Sequence, residues 1–317
     1  MKPLKTIAPP LLVTVTLLIA IELIARYTLS KIYNRTFDKS LIDAHKYDLT
    51  DGLKANATGI VWGKVFHTDD MGGRLQSKPK NGKHKLLLIG DSVTEGVGVD
   101  DSSTFAYKVA HEIEHTDLRN ISFIGWSSAD YNHVLTTLLK SDNDSSITEV
   151  WLFYCLNDIY SSTKTNDLPK MGNRGILSTI NVLLQRRYAT YKLLKLWLYQ
   201  QSDYYYRYDA RLYTDTTKVN QTVHDLSLIA SICNQHGARF KVVMLPYRSQ
   251  LKNPKANYPQ QVLSQQLSVH HIPYLDLLPS LAKTTQPDAL YLYADEIHLS
   301  MQGHNVVAQA LINSKSQ

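Results

Sequence analysis

Cysteine is scarce in this 317-residue chain: Cys155 and Cys233 are the only two, too few for a disulfide framework or a cysteine zinc site. At most, one bridge would join them. Blocks of like charge are missing too. The 34 basic and 28 acidic residues are scattered and leave a net charge of only +6, a weak electrostatic basis for nucleic-acid binding. No internal repeat or low-complexity tract is visible. Phenylalanine is sparse, six against twenty tyrosines, so most of the rings carry a hydroxyl that needs water or a partner. Long apolar runs are absent with one exception.

That exception, "APPLLVTVTLLIAIELIA" at 8–25, is longer than the ~7–15 residues of a signal-peptide core and lacks a small-x-small cleavage site. It reads as a signal anchor over 8–27, with residues 1–7 as a cytoplasmic tail and the bulk of the chain outside the cytoplasm. The other reading is a signal peptide cut after "LIA". Arg26, Lys31 and Arg35 beyond the run rival Lys2 and Lys5 before it, which weakens the charge argument for orientation. Glu22 sits near the far end, where its side chain can reach toward the interface.

From 28 to 80 the sequence is polar and irregular, ending in "QSKPKNGKHK", and reads as a stalk or connector. From there to residue 317, short apolar runs alternate with helical patterns, as in a parallel sheet covered on both faces. The candidate strands are 85–89, 120–124, 149–154, 239–245 and 272–277. In "SSTFAYKVAHEIEH", Phe105, Val109 and Ile113 recur every four residues behind a capping Ser102 or Ser103. Similar spacing follows at Val223, Leu226, Ile229 and Cys233, and at Val306, Val307, Ala310 and Leu311. Between them, residues 161–222 form a Tyr-rich segment that reads as a mostly helical insertion, either a substrate-facing lid or packing against the domain. Its "RRYATYKLLKLWLY" suits a membrane surface or a buried amphipathic helix.

Ligands bind open parallel sheets beyond the carboxyl ends of the strands, where loops converge. The first candidate strand ends in Gly90, Asp91 and Ser92, the second in Gly125, the third in Asn157, and the last precedes "YADEIHLSMQGH" with Asp295 and His298. A serine becomes a nucleophile when an imidazole removes its proton, and a carboxylate must hold that imidazole in the right tautomer. Asp295 and His298, at i and i+3, can face each other across one turn. The Ser92 and Gly125 NH groups and the Asn157 amide are candidate donors to an oxyanion. Gly90 would let the chain turn, and Gly96 and Gly98 would keep the next loop low. Each feature also has an ordinary reading. "GDS" can be a turn that caps a helix, Gly125 a loop glycine, "ND" a cap, and His298 a loop histidine or half of a metal pair with His304 that has no third ligand of matching spacing. A phosphate cradle is disfavoured by the absence of a Walker lysine and by the charge of Asp91.

Taken together, "GDS", "NISFIGWSS", "LND" and "DEIH" resemble the four motifs of the SGNH hydrolases, also called GDSL esterases and lipases, over roughly residues 65–312. With an N-terminal anchor, the chain looks like the membrane-tethered bacterial members. The resemblance implies a three-layer α/β/α, flavodoxin-like domain. It implies Ser92, His298 and Asp295 as the triad, and Ser92, Gly125 and Asn157 as the oxyanion hole. No cofactor or metal is called for. The implied substrate is an acylated glycan or small ester, and the implied reaction is hydrolysis of a short acyl ester. The same motifs allow an O-acyltransferase or a lysophospholipase, and the fold allows a non-catalytic polysaccharide-binding envelope protein. Two departures stand out. Cys155 occupies a place that is often glycine, and Thr94 replaces the second glycine of a Gly-x-Ser-x-Gly elbow. "HTDDMGGRL" looks like a degenerate upstream segment in which Arg74 is structural.

Overall fold

The computed structural model describes residues 8–76, 84–113, 116–141, 147–160, 176–200, 202–253 and 255–315. The expected tail at 1–7, most of the "QSKPKNGKHK" connector and the first part of the insertion, 161–175, lie outside them. The chain divides into two compact units, residues 1–34 with 170–202, and residues 35–169 with 203–317.

In the first unit, α1 spans Ala8–Ile32. Its stretch Pro10–Ile32 is long and apolar enough to cross a membrane, with Leu11 through Ile24 largely exposed. The helix runs five residues beyond the expected anchor. Helix α5 (Ile176–Arg187) is followed by α6 (Ala189–Gln200), whose first NH groups have no partner within the helix. The Glu22 carboxylate accepts from Ala189 N (2.7 Å), Thr190 N (3.1 Å) and Thr190 Oγ1 (3.0 Å). Arg26 pairs with Glu22 at 2.9 Å and donates to Arg187 O. Ala25, Leu29 and Ala189 pack together below this cap, with Leu193 and Leu196 alongside. Glu22 therefore caps a helix; it does not merely reach for an interface.

The second unit holds a five-stranded, fully parallel sheet in the order β6-β5-β7-β8-β9: β5 His84–Gly90, β6 Thr116–Ser122, β7 Ile147–Tyr154, β8 Arg239–Met244 and β9 Tyr274–Asp276. Strand side chains alternate between faces. Leu87, Ile89, Val150, Leu152 and Val242 face one layer with α4 (Ser128–Ser141), α8 (Thr216–Gln235) and α10 (Tyr258–Val269). Leu86, Leu88, Trp151, Phe153 and Val243 face the other, with α3 (Phe105–Glu112), α11 (Leu278–Leu281) and α12 (Met301–Lys315). Each fully buried Leu or Ile contributes roughly 1.5–3 kcal/mol. The three-layer α/β/α fold is as expected. Strand β6 begins earlier than the hydrophobic pattern suggested, because Asp117 and Arg119 lie within it. Arg119 is paired there to Asp117, Asp69 and Asp70, and paired charges can enter a sheet that lone ones could not.

The expected connector is largely folded. Two antiparallel hairpins occupy it: β1 (Ile42–Tyr47) with β2 (Thr50–Leu53), and β3 (Thr58–Val61) with β4 (Lys64–His67). Leu41, Tyr47, Leu53, Val61 and Phe66 are buried in the core on the β5 Leu87 and Ile89 side. Their apolar residues are too short and too interrupted to show as strands in sequence, and only the packing recruits them. The insertion is helical where described. Its last part, α7 (Tyr204–Ala210), packs Tyr205 and Tyr206 against the core, while Tyr213 is fully buried and donates to Leu156 O at 3.0 Å. These rings are packing elements.

Candidate active site

Helix α2 (Ser92–Glu95) starts at the carboxyl end of β5. Asp91 caps it, its Oδ1 accepting from Val93 N at 2.9 Å. Gly90 is required for space: a Cβ there would stand 2.2 Å from Thr94 Oγ1. The sharp turn expected of Gly90 is not the reason, and the threonine that departs from the elbow pattern is what fills the place. Gly96 and Gly98 have φ of 77° and 81°, in the left-handed region. The carbonyls of Glu95, Gly96 and Val99 all accept from the buried Arg74 guanidinium, which also pairs with Asp101. The glycines thus let the chain wrap Arg74, and Arg74 is structural.

Ser92 Oγ lies 2.9 Å from His298 Nε2. On the ring's other side, Nδ1 is 2.9 Å from Asp295 Oδ2 and 3.1 Å from Oδ1. With the proton on Nδ1 held by the carboxylate, Nε2 is left as an acceptor for the serine hydroxyl. The loop carrying both residues is closed by the Tyr291–Leu299 bridge and by Leu292 N donating to His298 O (2.9 Å), with Ala294 at φ 55°. Asp295 Oδ1 accepts from Ile297 N (2.8 Å) and His298 N (2.9 Å), and Arg35 pairs with Oδ2 at 2.9 Å. Burial works to raise the Asp295 pKa. The His298 ring and Arg35 outweigh it and hold the carboxyl well below the usual range.

Two members of this arrangement were invisible in the sequence. Trp62 and Gly63 form the two-residue turn between β3 and β4, both with positive φ (49° and 76°). That geometry favours glycine or asparagine and costs a tryptophan strain. The strain places the indole against the His298 ring, centroids 4.6 Å apart, and the Arg35 guanidinium stacks 4.0 Å from the indole. A tryptophan beside glycine between two short alternating runs was the one available signal.

Gly125 (φ 86°) lies in the turn after β6. Asn157 lies in the 3-10 turn Leu156–Ile159 after β7, which Asp158 holds by accepting from Cys155 N (2.9 Å) and Tyr131 OH (3.0 Å). Asn157 Nδ2 points toward Asp91 Oδ2 at 3.4 Å, and its Oδ1 accepts from Tyr247 OH at 3.1 Å. Cys155 and Cys233 are free and buried, so the open bridge is not made, and the Cys155 thiol donates to Asp91 at 3.7 Å. His304 is no partner for His298. Its Nδ1 accepts from Phe105 N at 3.1 Å, and burial brings its pKa down to about 3, so it is neutral. Among the described residues, no group of three or more His, Cys, Asp or Glu could hold a metal.

No protein-family model matches the sequence, and no curated protein matches it. Solved structures are similar to it at low identity. A lipolytic protein of the G-D-S-L family from Veillonella parvula is 14% identical, covers 73% of this chain and 97% of its own, and has a TM-score of 0.43. A lipase/acylhydrolase from Enterococcus faecalis is 15% identical over 73% of this chain and 94% of its own, with a TM-score of 0.43. Axe2, an acetylxylan esterase from Geobacillus stearothermophilus, is 15% identical over 73% and 94%, with a TM-score of 0.44.

Proposed function

We propose that this chain is a serine esterase of the SGNH type, with Ser92, His298 and Asp295 as its triad. The observation that carries this reading is the continuous line Ser92–His298–Asp295, with both hydrogen bonds at 2.9 Å. Ser92 Oγ adds to the ester carbonyl while His298 Nε2 takes its proton. The oxyanion is met by the NH groups of Ser92 and Gly125 and by Asn157 Nδ2. Collapse breaks the bond to the alcohol, which leaves with the proton from His298, and water then hydrolyses the acyl-enzyme by the same steps. Asp295 stays ionised throughout and stabilises the imidazolium.

The finer reading is a short acyl ester, above all an O-acetyl group, on an envelope or secreted glycan, with α1 tethering the domain outside the cytoplasm. Full-length protein in detergent should hydrolyse p-nitrophenyl acetate, and Ser92→Ala should lower kcat by about 10⁶-fold with unchanged melting. Retained activity in that variant overturns the nucleophile. Rates that climb with acyl length would replace the glycan ester by a lysophospholipid. Transfer of a labelled acyl group to a sugar would make the protein an acyltransferase. A folded protein whose Ser92 resists a fluorophosphonate probe would be the non-catalytic binder.

A further inference from the structure

Next to Asn157 lies a buried chain of polar groups that the triad does not use. Tyr247 and Asp209 are each 1% exposed. Tyr247 Oη lies 3.1 Å from Asn157 Oδ1 and 2.6 Å from Asp209 Oδ2, and the other Asp209 oxygen accepts from Tyr160 OH at 2.5 Å. Helix α7, which carries Asp209, is held at its start by Tyr206 N donating to Glu296 Oε2 at 3.1 Å, one residue from Asp295. Helix α7 is thus fastened both to the triad loop and, through Tyr247, to the asparagine.

The Tyr247 hydroxyl has a single proton and two acceptors within reach. If it donates to Asp209, Asn157 Oδ1 loses its donor, and only the long contact of Nδ2 with Asp91 Oδ2, at 3.4 Å, is left to hold the amide's facing. If the acid carries a proton on Oδ2, that proton goes to Tyr247, the Tyr247 proton goes to Asn157 Oδ1, and all the short separations become hydrogen bonds. We propose that Asp209 and Tyr247 are positioning residues for Asn157: the protonated acid donates to Tyr247, Tyr247 donates to Asn157 Oδ1, and the amide NH₂ is thereby turned to the oxyanion. This rests on the esterase reading above. Hydrogen bonds in a row polarise one another, so the relay also strengthens Nδ2 as a donor. The surroundings of Asp209 shift it in the direction of the neutral acid. Burial raises its pKa against the opposing effect of Tyr160, Tyr247 and Arg211, and Cys155 and Tyr213, the other titratable groups facing it, are themselves raised by burial and stay uncharged.

The test is the pH dependence of kcat for p-nitrophenyl acetate, with full-length protein in detergent. Tyr247→Phe removes the donor to Asn157 and should lower kcat at least about tenfold, a part of the ~100- to 1000-fold that one oxyanion donor supplies, with KM unchanged. Asp209→Asn reproduces the neutral acid, its NH₂ donating to Tyr247 and its carbonyl accepting from Tyr160. It should keep kcat within about threefold of wild type and lose the alkaline fall in kcat that ionisation of Asp209 causes. Tyr247→Phe added to Asn157→Ala should cost nothing further. Wild-type kcat in Tyr247→Phe, an unchanged alkaline limb in Asp209→Asn, or additivity in the double variant overturns the proposal. Fluorophosphonate labelling separates the two readings. If wild type labels at Ser92 and the variants match it, only the relay fails; if wild type does not label, the esterase reading fails and the relay with it.

Discussion

Arg35 is the first residue of the larger unit, and its position beside Asp295 shows how a residue far away in sequence completes a local motif. The Asp-His pair was legible because one turn places i and i+3 together whatever surrounds them. Ser92 was legible because an apolar strand ended at it. Arg35 and Trp62 were not, since they lie in a polar stretch whose folding depends on packing against β5. Arg35→Gln provides the measurement. Removing the cation leaves the Asp295 charge to act on His298 alone and stabilises the imidazolium. The acid limb of kcat/KM should then move to higher pH by on the order of one unit, the equivalent of ~1.4 kcal/mol. An acid limb that stays in place or moves to lower pH would show that Arg35 does not bear on the triad.

Among the elements, β5, β7 and β8 were readable as continuous apolar runs. The start of β6 was hidden by charges that find partners only in the folded chain. The cap of α3 shows the same limit: Ser102 and Ser103 suit an N-cap, yet Asp101–Ser103 forms a 3-10 turn and Thr104 is the cap, its Oγ1 accepting from Tyr107 N at 3.1 Å. The choice is made by His304 and Arg74, which hold Phe105 N and the side chain of Asp101. Thr104→Ala should therefore cost about 1 kcal/mol, and a few degrees in Tm by thermal denaturation, whereas Ser103→Ala should change Tm little. The reverse order would return the cap to the serine. In the smaller unit, Glu22 shows a side chain of one helix completing the start of another, 167 residues away. No local pattern announces such a cap.

At the scale of the whole molecule, the strand order makes the site. The chain leaves β5 for β6 on one side and returns to β7 on the other, so the carboxyl ends of β5 and β7 bound the crevice where ligands bind open sheets. Ser92 and Asn157 stand on its two sides. If α1 anchors the protein, the full chain should stay in the membrane pellet after an alkaline carbonate wash, and mass spectrometry should recover the peptide containing Glu22. Loss of that peptide would mean a cleaved signal. The sequence by itself determined the alternation of strand and helix, the long apolar N-terminal run, and the places of Ser92, Gly125, Asn157, Asp295 and His298, because periodicity and strand ends are properties of neighbouring residues. Only the tertiary structure decided that the polar stretch after α1 folds as hairpins, that Trp62 and Arg35 close over the histidine and its acid, and that Asp209 and Tyr247 stand next to Asn157. Those arrangements depend on which buried partners meet across long separations, and a hydrogen bond or stacked ring between distant segments leaves no period in the sequence.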